Sequence, residues 1–251
     1  MSDRDELKSR GETAREAAHL NATPGDALLP GYEALRDEVM FGQVWARPGL
    51  DRESRMLATL CALTCRQYLP QLQRYADAAL ALAMPPRALQ EAMLHCAMYA
   101  GLPSAENSLA ALSAVFEARG LAAPEDAWER IDLAALTARG TETMRDLHRE
   151  RADGGYASPD SAASALYGTA IQYLYGEIWN RPGLSRRQRM ICSVAAFTAL
   201  EMPSQQRKFF RSALNVGVSA PEVMEIIIQT GPYSGFPPAL NALVIAEEVL
   251  A

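Results

Sequence analysis

The chain has 251 residues, 49% hydrophobic and 22% charged, with a formal net charge of -6. That is the mix of a water-soluble globular chain long enough for one large domain or two ordinary ones. The acidic balance and the lack of any sustained basic run argue against nucleic acid and anionic membrane as partners.

In chain order, the opening MSDRDELKSRGETAREAAH is charged throughout. It lacks the apolar core of a secretory signal, and no run of about 18 apolar residues follows that could span a bilayer. A cytosolic protein is the expectation. Helices are predicted at roughly 3–20, 31–44, 52–69, 71–83, 86–100 and 104–119, with Asp51 as an N-cap and Pro86 in a first turn. A second set is predicted at roughly 127–150, 159–176, 186–201, 204–216, 220–231 and 238–250. Ser185/Gln188 and Ser219/Glu222 have capping-box spacing. Gly101 and Gly235, each followed two residues later by a proline, read as helix stops. Strand-like alternation is absent, so the fold is expected to be all-α.

The two sets are copies of one unit. FGQVWARPGLDRESRM at 41–56 returns as YGEIWNRPGLSRRQRM at 175–190, an offset of 134 that runs without a gap. From Gly42 to Ala105 the offset gives 19 identities in 64 positions, including Trp45/Trp179, Arg47/Arg181, Glu91/Glu225 and Tyr99/Tyr233. Upstream, Arg10-Gly11 returns as Arg139-Gly140. The units are expected to divide as 1–122 and 123–251.

The W-x-R-P-G-L segment, followed about 45 residues later by E-A-M-L-H-C-A-M-Y-A-G-L-P-S-A at 91–105, resembles the carboxymuconolactone decarboxylase family, which shares a helical fold with alkylhydroperoxidase D. The resemblance implies two tandem repeats of that fold. It also implies decarboxylation of a lactone carrying a carboxylate, without metal or organic cofactor. Ring-shaped assembly is implied too, which two units per chain would complete as a homotrimer, with a dimer as the alternative.

Relatives carry E-L-x-x-H where this chain has Gln71-Leu72-Gln73-Arg74-Tyr75 and Gln205-Gln206-Arg207-Lys208-Phe209. The family's second histidine is kept as His95 and replaced by Gln229. The second copy therefore lacks the family's acid–base set and reads as structural or substrate-shaping. In the first copy, Gln71/Tyr75 and His95/Tyr99 are i,i+4 pairs, each on one helical face. If the family's packing holds, those faces meet around one pocket, with His95, Tyr75 and Gln71 as the catalytic set.

Substrate contacts would come from Trp45, Arg47, Tyr99, Cys61 and Cys65, each with a plainer reading. Tyr99 recurs in the depleted copy, which suits packing. Trp45 and Trp179 suit core anchors, and Arg47 and Arg181 suit either a substrate carboxylate or a role capping the preceding helix or pairing across subunits. Cys61 and Cys65, i,i+4, lie beyond disulfide spacing and suit buried thiols. No C-x-x-C occurs, and three histidines make a His-rich metal site a poor expectation. The functions in play are a lyase acting on a small or polyketide-like carbonyl or lactone compound, a non-catalytic binding scaffold, and a thiol peroxidase.

Overall fold

The computed structural model describes residues 2–21, 29–122, 128, 130–153 and 162–251. Among them there is no strand. The first repeat contains α1 (Asp3–Ala17), α2 (Tyr32–Arg36) running on as a π-helix (Asp37–Trp45), α3 (Arg52–Arg66), α4 (Leu69–Ala81), α5 (Pro86–Ala100) and α6 (Leu102–Ala118). The second repeats that order as α7 (Leu133–His148), α8 (Ser164–Thr169) with a π-helical continuation (Ala170–Glu177), α9 (Arg186–Ala199), α10 (Pro203–Ala213), α11 (Ala220–Ser234) and α12 (Phe236–Leu250). The expected boundary at 123 lies outside the described residues. No described helix is long and apolar enough to cross a membrane.

Local chemistry sets most helix ends. Asp51 caps α3 through the Ser54 amide, and both expected capping boxes close, Ser185 with Gln188 and Ser219 with Glu222. Gly101 and Gly235 stop α5 and α11 at nearly the same backbone angles, φ 95° and 100°, a conformation that L side chains rarely adopt. Helix α11 runs through Pro232 to Ser234, beyond the expected end at 231. Pro232 has no N–H to give the Ile228 carbonyl, so the last turn forgoes one intrahelical hydrogen bond.

The repeated Arg-Gly pair docks each leading helix onto its π-helix. The Arg10 guanidinium donates to the Gly42 carbonyl, and Arg139 does the same to Gly176. A Cβ on Gly11 would lie 2.0 Å from the Asp37 carbonyl oxygen, and one on Gly140 would lie 1.9 Å from that of Ile171. Only glycine permits that approach.

Helices α3 and α9 pack against each other at the centre, and α5 and α11 each touch both. The two repeats thus share one core rather than enclosing one each. This arrangement creates two related seams, each carrying α3 or α9 of one repeat against α11 or α5 of the other.

Candidate functional site

Each seam is bolted by the R-P-G-L…R motif. Arg47 and Arg55 both bond Glu225 of the opposite repeat, Arg47 Nη2 at 2.6 Å and Arg55 Nη2 at 2.9 Å. In mirror fashion, Arg181 Nε and Arg189 Nη2 reach Glu91 at 2.9 and 3.0 Å, and Arg87 joins them from α5 itself. The second arginine of each motif also donates to the carbonyl of the first, at 2.7 Å. Arg47 and Arg181 are therefore ion-paired across the repeats, and each also lines a cavity.

The first seam joins Trp45, Thr59 and Tyr75 of the first repeat to Gln229 and Tyr233 of the second. The Trp45 indole donates to the Tyr233 hydroxyl at 2.7 Å, which donates in turn to the Tyr75 hydroxyl at 2.8 Å. Burial pushes the Tyr75 phenol up to about 12, so it stays neutral. Gln229 uses both ends of its amide: Oε1 accepts from Arg55 Nη1 at 3.0 Å, and Nε2 donates to Thr59 Oγ1 at 3.1 Å.

The second seam joins His95 and Tyr99 of the first repeat to Trp179, Ser193, Phe197 and Phe209 of the second. His95 is fully buried, with Nε2 2.8 Å from Ser193 Oγ and 3.4 Å from the Tyr99 hydroxyl. Tyr99 lies 3.1 Å from the same Ser193 oxygen, and its ring packs on Phe197 and Phe209. The Trp179 and His95 rings meet edge to face, with centroids 5.1 Å apart. Burial first, and the Arg189 guanidinium second, hold the His95 imidazole well below its ordinary range. It is neutral at neutral pH.

The seams differ in how completely they are satisfied. In the second, His95 Nδ1, Trp179 Nε1, and Arg189 Nε and Nη1 are buried without a hydrogen-bond partner of normal geometry. In the first, the equivalent Trp45 and Gln229 atoms are paired and only Arg55 Nε is not. Buried unpaired polar atoms in a native core are uncommon and costly. Leu94 and Met98, neighbours of His95 on α5, line a cleft of about 680 Å3 with Leu136, Tyr173, Ile178 and Arg181.

This geometry corrects the expected catalytic set. The Gln71/Tyr75 and His95/Tyr99 faces do not meet around one pocket in the first copy. Tyr75 belongs to the first seam, His95 and Tyr99 to the second, and Gln71 is exposed to solvent. The reason is that α5 and α11 each pack against both central helices, α3 and α9. Helix α5 faces α9, so the surroundings of His95 come from the copy that looked chemically empty.

Sequence reasoning also missed Ser193, whose signal was the hydroxyl shared with Thr59 at the same repeat position. It missed His148 as well, a buried imidazole bonded to Ser212 at 2.8 Å and to Tyr175 at 3.0 Å, packed against Phe209. Cys61 lies in the core against Cys96 and Cys192, and Cys65 is half-buried against Cys96. Contact with Cys192 and then burial push the Cys61 thiol well up; contact with Cys96 and then burial do so for Cys65. A peroxidatic thiol needs the opposite shift. Among the described residues, no three His, Cys, Asp or Glu side chains group as metal ligands.

The model of the carboxymuconolactone decarboxylase family matches residues 30–114 and again 164–248. A 4-carboxymuconolactone decarboxylase of Acinetobacter baylyi is 36% identical over 78 residues, 31% of this chain and 58% of the relative. A nitrosuccinic acid decarboxylase of Metarhizium robertsii is 38% identical over 89 residues, 36% of this chain and 60% of the relative. The chain thus spans less than two thirds of either. A crystal structure described as a gamma-carboxymuconolactone decarboxylase subunit of Burkholderia xenovorans superposes with a TM-score of 0.58 at 21% identity, covering 98% of this chain and 97% of that one, which speaks to fold alone. With two copies of the family unit covering more than half its length, the chain belongs to the carboxymuconolactone decarboxylase family.

Proposed function

We propose that this protein is a decarboxylase-type lyase whose site lies at the second seam. Its substrate would be a small carboxylic acid in which the carbon bearing the carboxylate adjoins an electron sink. The names of the two relatives share that chemistry, one acid being a lactone and the other a nitro compound. When the C–C bond breaks, CO2 leaves and the bonding pair moves into the carbonyl or nitro group; a proton drawn from solvent is then delivered to carbon. The Arg189 guanidinium suits the charge that develops on the sink oxygen, and a neutral imidazole can take up and return the proton. The observation that carries this reading is His95 Nδ1, buried and unpaired like Arg189 Nη1, on a helix whose Leu94 and Met98 line a largely apolar cleft large enough for a small acid.

The test is CO2 release from 4-carboxymuconolactone and from nitrosuccinate. The wild-type chain should release it from at least one. His95→Ala should lose about 100-fold or more, the usual worth of a positioned acid–base group, while Tyr75→Phe should stay within about twofold because it sits in the other seam. Full activity in His95→Ala would remove the proposal. A second reading, non-catalytic ligand binding, draws on the complete burial of His95 and the absence of any group titrating near neutrality among the first seam's Trp45, Thr59, Tyr75, Gln229 and Tyr233. It requires that either acid bind without release of CO2.

A further inference from the structure

The two seams place Gln229 and His95 at the same repeat position, and the amide shows how the imidazole is held. Gln229 donates from Nε2 to the Thr59 hydroxyl and accepts at Oε1 from Arg55 Nη1. Thr59 corresponds to Ser193 and Arg55 to Arg189. His95 Nε2 lies 2.8 Å from Ser193 Oγ, matching the donor end of the amide. At the other end the match fails: His95 Nδ1 and Arg189 Nη1 are both buried and both unpaired.

Counting protons fixes the direction of the Ser193 contact. Ser193 has one hydroxyl proton, and it donates to the Arg189 carbonyl at 3.0 Å. Its oxygen is then left to accept from His95 Nε2–H and from the Tyr99 hydroxyl 3.1 Å away. The opposite tautomer would bury an N–H at Nδ1 with nothing to receive it, which folded proteins avoid more strictly than an unused acceptor.

We infer that Ser193, with Tyr99, holds His95 as the Nε2–H tautomer, leaving the bare Nδ1 lone pair and Arg189 Nη1 as the buried acceptor and donor that a bound ligand would satisfy, suited to an oxygen that carries a proton, such as an enol. A single oxygen of that kind accepts from the guanidinium and donates to the imidazole, completing what the amide completes in the first seam. Ser193 and Tyr99 are positioning residues in this scheme. The inference rests on the functional reading only in taking the second seam as the site.

The test needs no turnover. Long-range proton–nitrogen correlation of the imidazole rings in the full 15N-labelled chain at neutral pH reads each tautomer directly. The chain has three histidines, and His95 is assigned by its loss in His95→Gln. The expected spectrum shows a protonated Nε2 and an unprotonated Nδ1. Ser193→Ala should shift the Nε2–H resonance and speed its exchange with water, whereas Ser193→Thr, copying Thr59, should keep the wild-type pattern. Titration with acetylacetone, a small enol-forming probe, should shift Nδ1 of His95 and leave His19 unmoved.

A wild-type ring protonated at Nδ1 overturns the inference, and so does a Ser193→Ala spectrum in which the Nε2–H signal neither moves nor exchanges faster. An Nδ1 signal unmoved at saturating probe overturns the ligand class. With the tautomer as stated but no CO2 released from either acid, the functional reading alone would fall.

Discussion

Glu91→Ala should destabilise the chain by about 3–5 kcal/mol in denaturant unfolding, the range for breaking a buried ion pair from one side. Glu91 is 1% exposed and receives Arg181 and the fully buried Arg189 from the other repeat. Without it, Arg189 keeps one hydrogen bond, to the Arg181 carbonyl, with Nε and Nη1 already unpaired. Glu225→Ala should cost roughly half as much by the same reasoning. Arg55 would retain Gln229 and the Arg47 carbonyl, and the Arg47 side chain is 44% exposed and can turn to water. Equal losses in the two variants would show that the second seam is no less satisfied than the first.

His95→Gln should raise stability while abolishing turnover. The replacement installs the residue found at the equivalent position in the first seam, where both ends of the amide are bonded. Pairing Arg189 Nη1 removes the cost of a buried unsatisfied donor, about 1–3 kcal/mol. For a chain of this size that is a rise in Tm of roughly 2–4 °C per kcal/mol. CO2 release should fall at least about 100-fold, since an amide does not titrate. A lower Tm with activity intact would mean that the imidazole is a core residue matched to its surroundings. A site that gains stability when its chemistry is deleted is the expected behaviour of strained functional groups.

Much of the fold was legible in the sequence because its signals are local. The capping boxes and the glycine stops each depend on residues within a turn or two of one another, and the offset of 134 appears when the chain is compared with itself. Pairing between helices was not legible. Helical periodicity shows that Gln71/Tyr75 share one face and His95/Tyr99 another, but it does not say which helix each face meets. The duplication made this harder, since α5 finds an equally complementary surface on α3 or α9, and here it touches both. One clue was present. Glu91 and Glu225 recur with two arginines each, and reciprocal charges repeated in both copies are what packing across a pseudo-twofold would produce. Ser193 carried no signal beyond sharing a hydroxyl with Thr59, and its importance appears only when His95 is placed beside it.

The central claim is that His95 acts with partners from the second repeat and not with Tyr75 of its own. Double-mutant cycles on unfolding free energy measure this most directly, pairing His95→Ala first with Ser193→Ala and then with Tyr75→Phe. Coupling of about 0.5–3 kcal/mol is expected for His95 with Ser193, and additivity within about 0.5 kcal/mol for His95 with Tyr75. Strong coupling to Tyr75 together with additivity at Ser193 would contradict the packing between repeats on which the site is built.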